Sequence, residues 1–126
     1  MRNTLALILL LSGCSATQVV IRHDAGAFSV RDYLKTAYDT LGEAETDPNG
    51  HRIRAQLETR AALDLVAGSS SLPMRTVPFE GPPSLAAAVV LLELSEAELQ
   101  NNDLLALDHT RRAIKELKKA LSPTSP

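Results

Sequence analysis

The chain has 126 residues, of which 44% are hydrophobic and only 3% are aromatic. This length is enough for one domain, whose core has to be built from Leu, Val, Ile and Ala. Thirteen basic and fifteen acidic residues give a net charge of −2, which argues against a nucleic-acid-binding protein, because such proteins place many Lys and Arg against phosphates. The single Cys excludes an intrachain disulfide framework and a cysteine-based zinc site.

The first fourteen residues have the layout of a secretory signal. Arg2 precedes the apolar run 5–11, and small residues lead from that run to Cys14. Seven apolar residues rise only about 10 Å as a helix, against roughly 30 Å for the core of a bilayer. The run is therefore too short to be a transmembrane helix.

The end of this run resembles the lipobox of bacterial lipoproteins, in which Leu and two small residues precede a Cys. The matching residues are Leu11, Ser12, Gly13 and Cys14. The resemblance implies that Cys14 is acylated and that residues 1–13 are removed as a signal peptide. Three acyl chains would then hold the protein at a membrane, since two or more give stable anchoring.

The residue after Cys14 bears on the compartment. It is Ser15 and not Asp, which in the resemblance to Gram-negative lipoproteins implies the outer membrane, with the protein facing the periplasm. An ordinary signal peptide and a misassigned start codon are the alternatives, because the apolar run is short and Arg2 is the one basic residue before it.

Residues 14–28 are predicted to form a lipidated tether. They show no helical period, and the segment 18–21 is β-branched and extended in tendency. The helical domain follows over residues 29–121, and residues 122–126 are expected to form a disordered tail.

The periodicity of residues 29–121 predicts an all-α fold. Two antiparallel helical hairpins, 29–67 and 84–121, are expected to form a four-helix bundle, joined by a linker at 68–83. No stretch of the chain alternates well enough to predict a sheet. A tetratricopeptide-like pair is the nearest alternative, although the strict repeat period of that family is absent.

Helix 1 is predicted to begin at Ser29. Ser29 and Asp32 have the spacing of a capping box, with Asp in the role of Glu. Phe28 and Tyr33 have the spacing of a hydrophobic staple. Apolar residues then recur on one face that is expected to meet the core: Val30, Tyr33, Leu34, Ala37, Tyr38, Leu41 and Ala44.

Helix 2 is predicted to use Asp47 as its N-cap and Pro48 as its first residue. Its most regular apolar stripe is the one expected to face the core: Ile53, Leu57, Ala61 and Leu65, with Ala62 and Val66 beside them. The linker that follows also carries apolar residues, Leu72, Met74, Val77 and Phe79, so it is expected to lie across the helices.

Helix 3 is predicted to begin near Ser84 and to be the most buried helix, because residues 85–92 are apolar on all sides. Helix 4 is expected to follow an N-cap at Asn102 or Asp103. Its core face is predicted from helical spacing: Leu107, Thr110, Ile114, Leu117 and Leu121.

The two hairpins show a faint internal repeat at an offset of 51 residues. In the first helices it pairs Leu34 with Leu85, Ala37 with Ala88, Leu41 with Leu92 and Glu45 with Glu96. In the second helices it pairs Ile53 with Leu104, Ala55 with Ala106, Thr59 with Thr110, Arg60 with Arg111 and Ala62 with Ala113. Duplication and chance matching of two amphipathic hairpins both remain open.

Three histidines, His23, His51 and His109, are the candidates for a metal or ligand site. None has a helical spacing typical of a metal site, so at least two would have to meet in space. No nucleophile elbow or phosphate-binding loop is present. We therefore expect no enzyme and no cofactor other than the lipid on Cys14.

The turn sequence Gly50-His51-Arg52 offers a further candidate. Together with the Ala-rich helix before it, over residues 38–55, it resembles small helical bacterial proteins of no assigned activity. A helix N-terminus with His51 and Arg52 could bind an anion. The alternative is that His51 caps or packs at the turn while Arg52 is solvated.

Charge is strongly segregated in the second hairpin. Five acids precede five bases: Glu93, Glu96, Glu98, Asp103 and Asp108, then Arg111, Arg112, Lys115, Lys118 and Lys119. Antiparallel packing is expected to put the acids at one pole of the bundle and the bases at the other. The bases suit the end of a helix dipole, or they contact anionic lipid head groups or an acidic partner.

These observations favour a membrane-anchored envelope lipoprotein whose helical domain binds another envelope protein. The expected site is a groove between the hairpins, covered or uncovered by residues 72–79, with an exposed apolar surface of several hundred Å². The alternative is a small periplasmic metal- or ligand-binding bundle that uses the three histidines. Neither hypothesis involves nucleic acid.

Overall fold

A computed structural model of the protein describes residues 5–11, 17–23, 28–69, 72–100 and 103–122. Four helices make up most of the described chain: α1 (Val30–Glu43), α2 (His51–Val66), α3 (Leu85–Leu99) and α4 (Leu104–Leu121). Two strands, β1 (Leu5–Leu11) and β2 (Thr17–His23), precede them. The helices pack as two hairpins in a four-helix bundle, which confirms the predicted fold class.

The four helices form a ring in which α1 packs on α2 and α3, and α4 packs on α2 and α3. Contacts between helices show their directions. Arg52 near the start of α2 reaches the carbonyl of Leu41 near the end of α1. Along α4, Arg111 meets Glu96 and the later residue Lys118 meets the earlier residue Glu93 of α3. All neighbours in the ring are therefore antiparallel.

This arrangement requires a long crossover between α2 and α3. The linker runs along α1 in the same direction as that helix, because Arg75 N–H donates to the Asp32 carboxylate and Val77 N–H donates to the Thr36 hydroxyl. Val77 is fully buried, and Met74 and Phe79 pack against the core. The prediction that the linker lies across the helices is confirmed.

Local capping positions the start of α1 as predicted. Ser29 is the N-cap, and its hydroxyl and the Asp32 carboxylate exchange hydrogen bonds with each other's backbone N–H groups. The rings of Phe28 and Tyr33 are 6.4 Å apart. Ser84 and Asp103 cap α3 and α4 in the predicted places.

Helix α3 is the most buried helix, as predicted. Every residue of the stretch 85–92 is buried, because this helix lies between α1 and α4 and is apolar on all sides. The predicted core face of α4 is also confirmed, with Leu121 half-buried at the end of the helix.

The predicted core face of α2 is wrong for Ile53, Leu57 and Leu65 and right for Ala62 and Val66, which are buried. Ile53 and Leu57 are 53% and 66% exposed, and Leu65 is also exposed. The buried face consists of Ala55, Thr59, Ala62, Leu63 and Val66. The small side chains of Ala55, Thr59 and Ala62 allow α2 to approach α4 closely. This close contact determines the buried face of α2, and Leu57 and Leu65 remain exposed on other sides of the helix.

Six of the repeat pairs occupy equivalent interior positions in the two hairpins, whereas Ile53 and Leu104 are both exposed. Ala55 and Ala106 are both fully buried, and the hydroxyls of Thr59 and Thr110 donate to the carbonyls of those two alanines at 2.8 Å. Thr59 and Thr110 are therefore equivalent in their hydrogen bonds as well as in their burial.

The N-terminal strands are a departure from the expectation that no segment forms a sheet. β1 pairs antiparallel with β2, with Leu5 opposite His23 and Leu11 opposite Thr17. A short continuous apolar run fits a strand as well as a helix, and periodicity does not separate the two. Ser12, Gly13 and Cys14 lie outside the described residues, as do 123–126 of the predicted tail.

Candidate partner-binding groove

The main candidate site is a groove between α3 and α4 with a volume of about 530 Å³. We call it the α3/α4 groove. Glu93 and Glu96 line it from α3, and the remaining residues come from α4 and its C-cap: Arg111, Ile114, Lys115, Lys118, Lys119 and Ser122. Four of the five bases that the sequence marked as partner-binding residues thus lie together, while Arg112 does not line the groove.

Ion pairs across the groove hold its two walls. Arg111 Nε lies 2.8 Å from Glu96, and Lys118 Nζ lies 3.3 Å from Glu93. Lys115 has no ion-pair partner among the described residues and is exposed. The groove therefore combines cations, two of them paired across it, with the buried apolar side chain of Ile114.

The two remaining bases of α4 are paired with acids of the same helix. Arg112 meets Asp108 at 2.9 Å within the helix, and Lys119 lies 4.0 Å from Glu116. The prediction of two separate charged poles was wrong for Glu93 and Glu96. Antiparallel packing sets these two acids beside bases of α4, because they lie before the end of α3.

The expected groove between the hairpins is closed at α1. Residues of the linker cover that helix, as Arg31 Nη1 donates to the carbonyl of Leu72 at 2.8 Å. Arg31 is only 7% exposed, and its Nε has no hydrogen-bond partner. The open groove instead lies within the second hairpin.

The two described histidines bridge α2 and α4 through carboxylates. His51 Nδ1 lies 2.7 Å from Glu116, and His109 Nδ1 lies 2.6 Å from Glu58. Arg54 Nε also donates to Glu116 at 3.2 Å. The hydrogen bond from His51 lowers the pKa of Glu116, burial opposes this change, and Arg54 and Lys119 reinforce it.

These contacts do not bring the histidines together. His51 and Glu58 are seven residues apart on α2, which is about 10 Å along a helix, and each histidine binds its own carboxylate. Among the residues that the structure describes, no group of three or more metal-ligating side chains is found. Of the three candidate histidines, His51 and His109 therefore do not meet, and the side chain of His23 lies outside the described residues.

The anion site expected at the start of α2 is filled by the chain itself. The Asp47 carboxylate accepts hydrogen bonds from the N–H groups of His51 and Arg52, at 3.0 and 2.8 Å. Burial works to raise the pKa of Asp47, but these hydrogen bonds outweigh it and lower the pKa. The N-cap of α2 is Gly50 and the helix begins at His51, so the prediction of Asp47 as N-cap and Pro48 as first residue is wrong. Asp47 instead accepts the first N–H groups of α2 from the turn that precedes Gly50.

The alternative in which Arg52 is solvated is wrong. It is half-buried, and its Nη1 donates to the carbonyl of Leu41 at 2.8 Å. The guanidinium thus satisfies a carbonyl near the C-terminus of α1, where positive charge is favourable. The role of Arg52 is to join the two helices of the first hairpin.

The sequence did not mark Glu93, Glu96 and Ile114 as members of one site with the bases. The charge segregation identified the residue types, but the contact between α3 and α4 decided which of them face each other. No helix among the described residues has the length and hydropathy to cross a membrane. Comparisons with protein-family models, curated proteins and solved structures find no match for this chain.

Proposed function

We propose that the protein is a non-enzymatic envelope lipoprotein whose helical domain binds an acidic segment of another envelope protein in the α3/α4 groove. The observation that carries the proposal is the groove itself. It gathers Arg111, Lys115, Lys118 and Lys119 with two acids, a local excess of two positive charges on a chain of net charge −2.

An acidic protein segment fits this groove better than a uniform anionic surface does. Ile114 lies between the charged residues, so the site offers apolar contact as well as cations. An apolar centre with exposed charged residues at its rim is the arrangement by which protein interfaces combine affinity with charge selectivity. The free ammonium group of Lys115 is available to a partner carboxylate without breaking an ion pair.

The position of the groove also favours a protein partner over lipid. Lys118 and Ser122 lie at the end of α4, and α4 runs antiparallel to α2, so these residues are at the pole opposite the start of α1. The tether enters the bundle at the start of α1. Helix α4 has 18 residues and is therefore about 27 Å long. This length separates the basic end of the groove from the pole at which the tether enters.

The proposed anchor is the acylated Cys14. Removal of residues 1–13 would take away β1 and leave β2 within the tether. Confinement to a membrane raises the effective concentration of the domain for a partner at the same surface. A weak contact in the groove would then be sufficient for function.

The anchor is tested by the intact mass of protein extracted from membranes with detergent. We expect a mass that corresponds to loss of residues 1–13 and gain of acyl chains, and an unprocessed, unacylated chain for Cys14→Ala. An unmodified Cys14 in the natural protein would overturn the anchoring part of the proposal.

The groove is tested by a photo-crosslinking amino acid placed in cells at Lys115, with Glu43 as the control position. Both residues are exposed helix positions, and Glu43 ends α1 and does not line the groove. We expect a defined crosslink to an envelope protein from Lys115 only, reduced at least tenfold by Lys118→Glu. Equal crosslinking from both positions, or none from Lys115, would contradict binding in the groove.

A further inference from the structure

We propose that the pole of the bundle at which the tether enters rests on the phospholipid surface through a set of exposed leucines. This inference rests on the proposed anchoring at Cys14. The set, which we call the leucine pole, consists of Leu65, Leu72, Leu104 and Leu105. These side chains are 43%, 70%, 69% and 66% exposed.

Described contacts place the leucine pole at the start of α1. The carbonyl of Leu72 accepts a hydrogen bond from Arg31, in the first turn of α1. Helix α2 runs antiparallel to α1, so its last turn, which contains Leu65, returns to that end. Helix α4 runs antiparallel to α2, as the pairs His51–Glu116 and Glu58–His109 show, so it begins there with Leu104 and Leu105.

The tether supplies the reason that a membrane covers this pole and not another surface. The chain enters α1 through Phe28 and Ser29, and α1 is the first helix after Cys14, the proposed point of lipid attachment. The leucine pole therefore surrounds the end of the bundle at which the chain from the acyl anchor enters. Exposed leucines at an anchored end bury apolar surface at the lipid interface, as amphipathic interfacial segments do.

The other large exposed apolar side chains have a different position. Ile53 and Leu57 lie on the flank of α2, one turn apart on one helical face. We therefore expect the leucine pole to contact lipid and Ile53 and Leu57 to remain in water. Leu57 is 66% exposed, the same value as Leu105, which makes it a matched control.

The consequence is an orientation of the domain. If the leucine pole lies on the membrane, the helices stand away from the surface and the basic end of the α3/α4 groove points into the periplasm. The acyl chains alone would hold the domain near the membrane but would leave its orientation free. The leucine pole would present the groove to a partner.

The chain has no Trp, so single Trp substitutions report their surroundings without background. Leu105→Trp and Leu57→Trp are introduced into the full-length, acylated protein, which is reconstituted into vesicles of phosphatidylethanolamine and phosphatidylglycerol with brominated acyl chains. We expect Leu105→Trp fluorescence to be quenched at least threefold more than Leu57→Trp fluorescence, with an emission maximum at shorter wavelength. Equal quenching of the two, or no quenching of Leu105→Trp, would overturn the inference.

Two additions separate this result from failure of the anchor or of folding. Intact mass of the same samples reports acylation, and an unmodified Cys14 refutes the anchoring proposal. The variants are in that case coupled through Cys14, the single thiol of the chain, to a maleimide phospholipid, and the same quenching ratio decides the inference. Leu72→Trp provides a second reporter on the linker if Leu105→Trp lowers the helical circular dichroism signal.

Discussion

The two hairpins have closely similar interiors but different outer contacts between their helices. Leu34, Ala37 and Leu41 of the first are buried like Leu85, Ala88 and Leu92 of the second. Where α1 meets α2, polar side chains close the contact. In the second hairpin, the contact between α3 and α4 is bordered by ion pairs and stays open as the α3/α4 groove.

The closed contact depends on long side chains that reach backbone atoms of α1. Arg52 and Gln56 donate to the carbonyls of Leu41 and Tyr38 at 2.8 and 3.3 Å, and the guanidinium of Arg60 lies 5.6 Å from the centre of the Tyr38 ring. The repeat partner of Arg60 is Arg111, which instead pairs with Glu96 at the groove. Equivalent positions thus support structure in one hairpin and a candidate site in the other.

The largest test of this comparison is truncation of equivalent core leucines. Leu41→Ala and Leu92→Ala each remove a fully buried side chain, and we expect each to lower the free energy of unfolding by about 2–5 kcal/mol. Urea unfolding followed by far-ultraviolet circular dichroism measures both. Values that differ by more than about 2 kcal/mol would show that the two interiors are not energetically equivalent.

The next test concerns Asp32, which holds the linker on the first hairpin and has no counterpart in the second. Burial acts to raise its pKa, but hydrogen bonds from the N–H groups of Arg75 and Ser29 outweigh this and lower the pKa. We expect Asp32→Asn to cost about 1–3 kcal/mol, because the buried network loses the negative charge and one of the two acceptor oxygens, and an NH2 donor takes that oxygen's place. Thermal unfolding measures the loss.

The matched control is Asp103→Asn, which changes the N-cap of α4 alone. Asn is itself a good N-cap, so a change of less than about 0.5 kcal/mol is expected there. Equal losses in the two variants would mean that Asp32 acts only as a cap and does not hold the linker.

A smaller effect is expected from the contact between α2 and α4. The folded protein lowers the pKa of Glu116 from its ordinary value of 4.5, so its ionised form is stabilised. This stability is present above pH 4.5 and is lost as the pH falls through the lowered pKa. We expect Glu116→Gln to cost about 0.5–1 kcal/mol at pH 7 and less at pH 3.

The measurement is urea unfolding of both proteins at pH 7 and pH 3, with Glu43→Gln as control for an exposed carboxylate at a helix end. A cost of Glu116→Gln that does not shrink at low pH would show that its ionisation is not the source of the stability.

The smallest effect is expected at the groove. Lys118 and Glu93 are 58% and 29% exposed, so their coupling should be below about 0.5 kcal/mol. A double-mutant cycle with Lys118→Met and Glu93→Gln measures it. A coupling above about 1 kcal/mol would assign the groove pair a structural role like that of Arg52 in the first hairpin.

Much of the fold follows from local patterns. The Ser29–Asp32 capping box, the N-caps Ser84 and Asp103, and the all-apolar stretch 85–92 act through neighbours in the chain, so their spacing is enough to predict them. The core face of α4 was predictable for the same reason, since its polar and apolar faces differ clearly.

The α2 face was not predictable in this way. Its leucines form a regular stripe, but Ala55, Thr59 and Ala62 turn inward, because close approach to α4 is available only to small side chains. The candidate site also depended on tertiary contacts. The sequence identified the bases of α4, but it did not predict their ion pairs with Glu93 and Glu96.

The sequence by itself determined the four helices, the N-caps of α1, α3 and α4, the burial of α3 and the lone Cys14 after an apolar run, because each depends on residues close in the chain. Only the tertiary structure decided that His51 and His109 bind carboxylates, that Asp47 fills the start of α2, and that the open groove lies within the second hairpin. These outcomes depend on which faces of separate helices meet. That choice is governed by packing distance and charge between residues far apart in sequence.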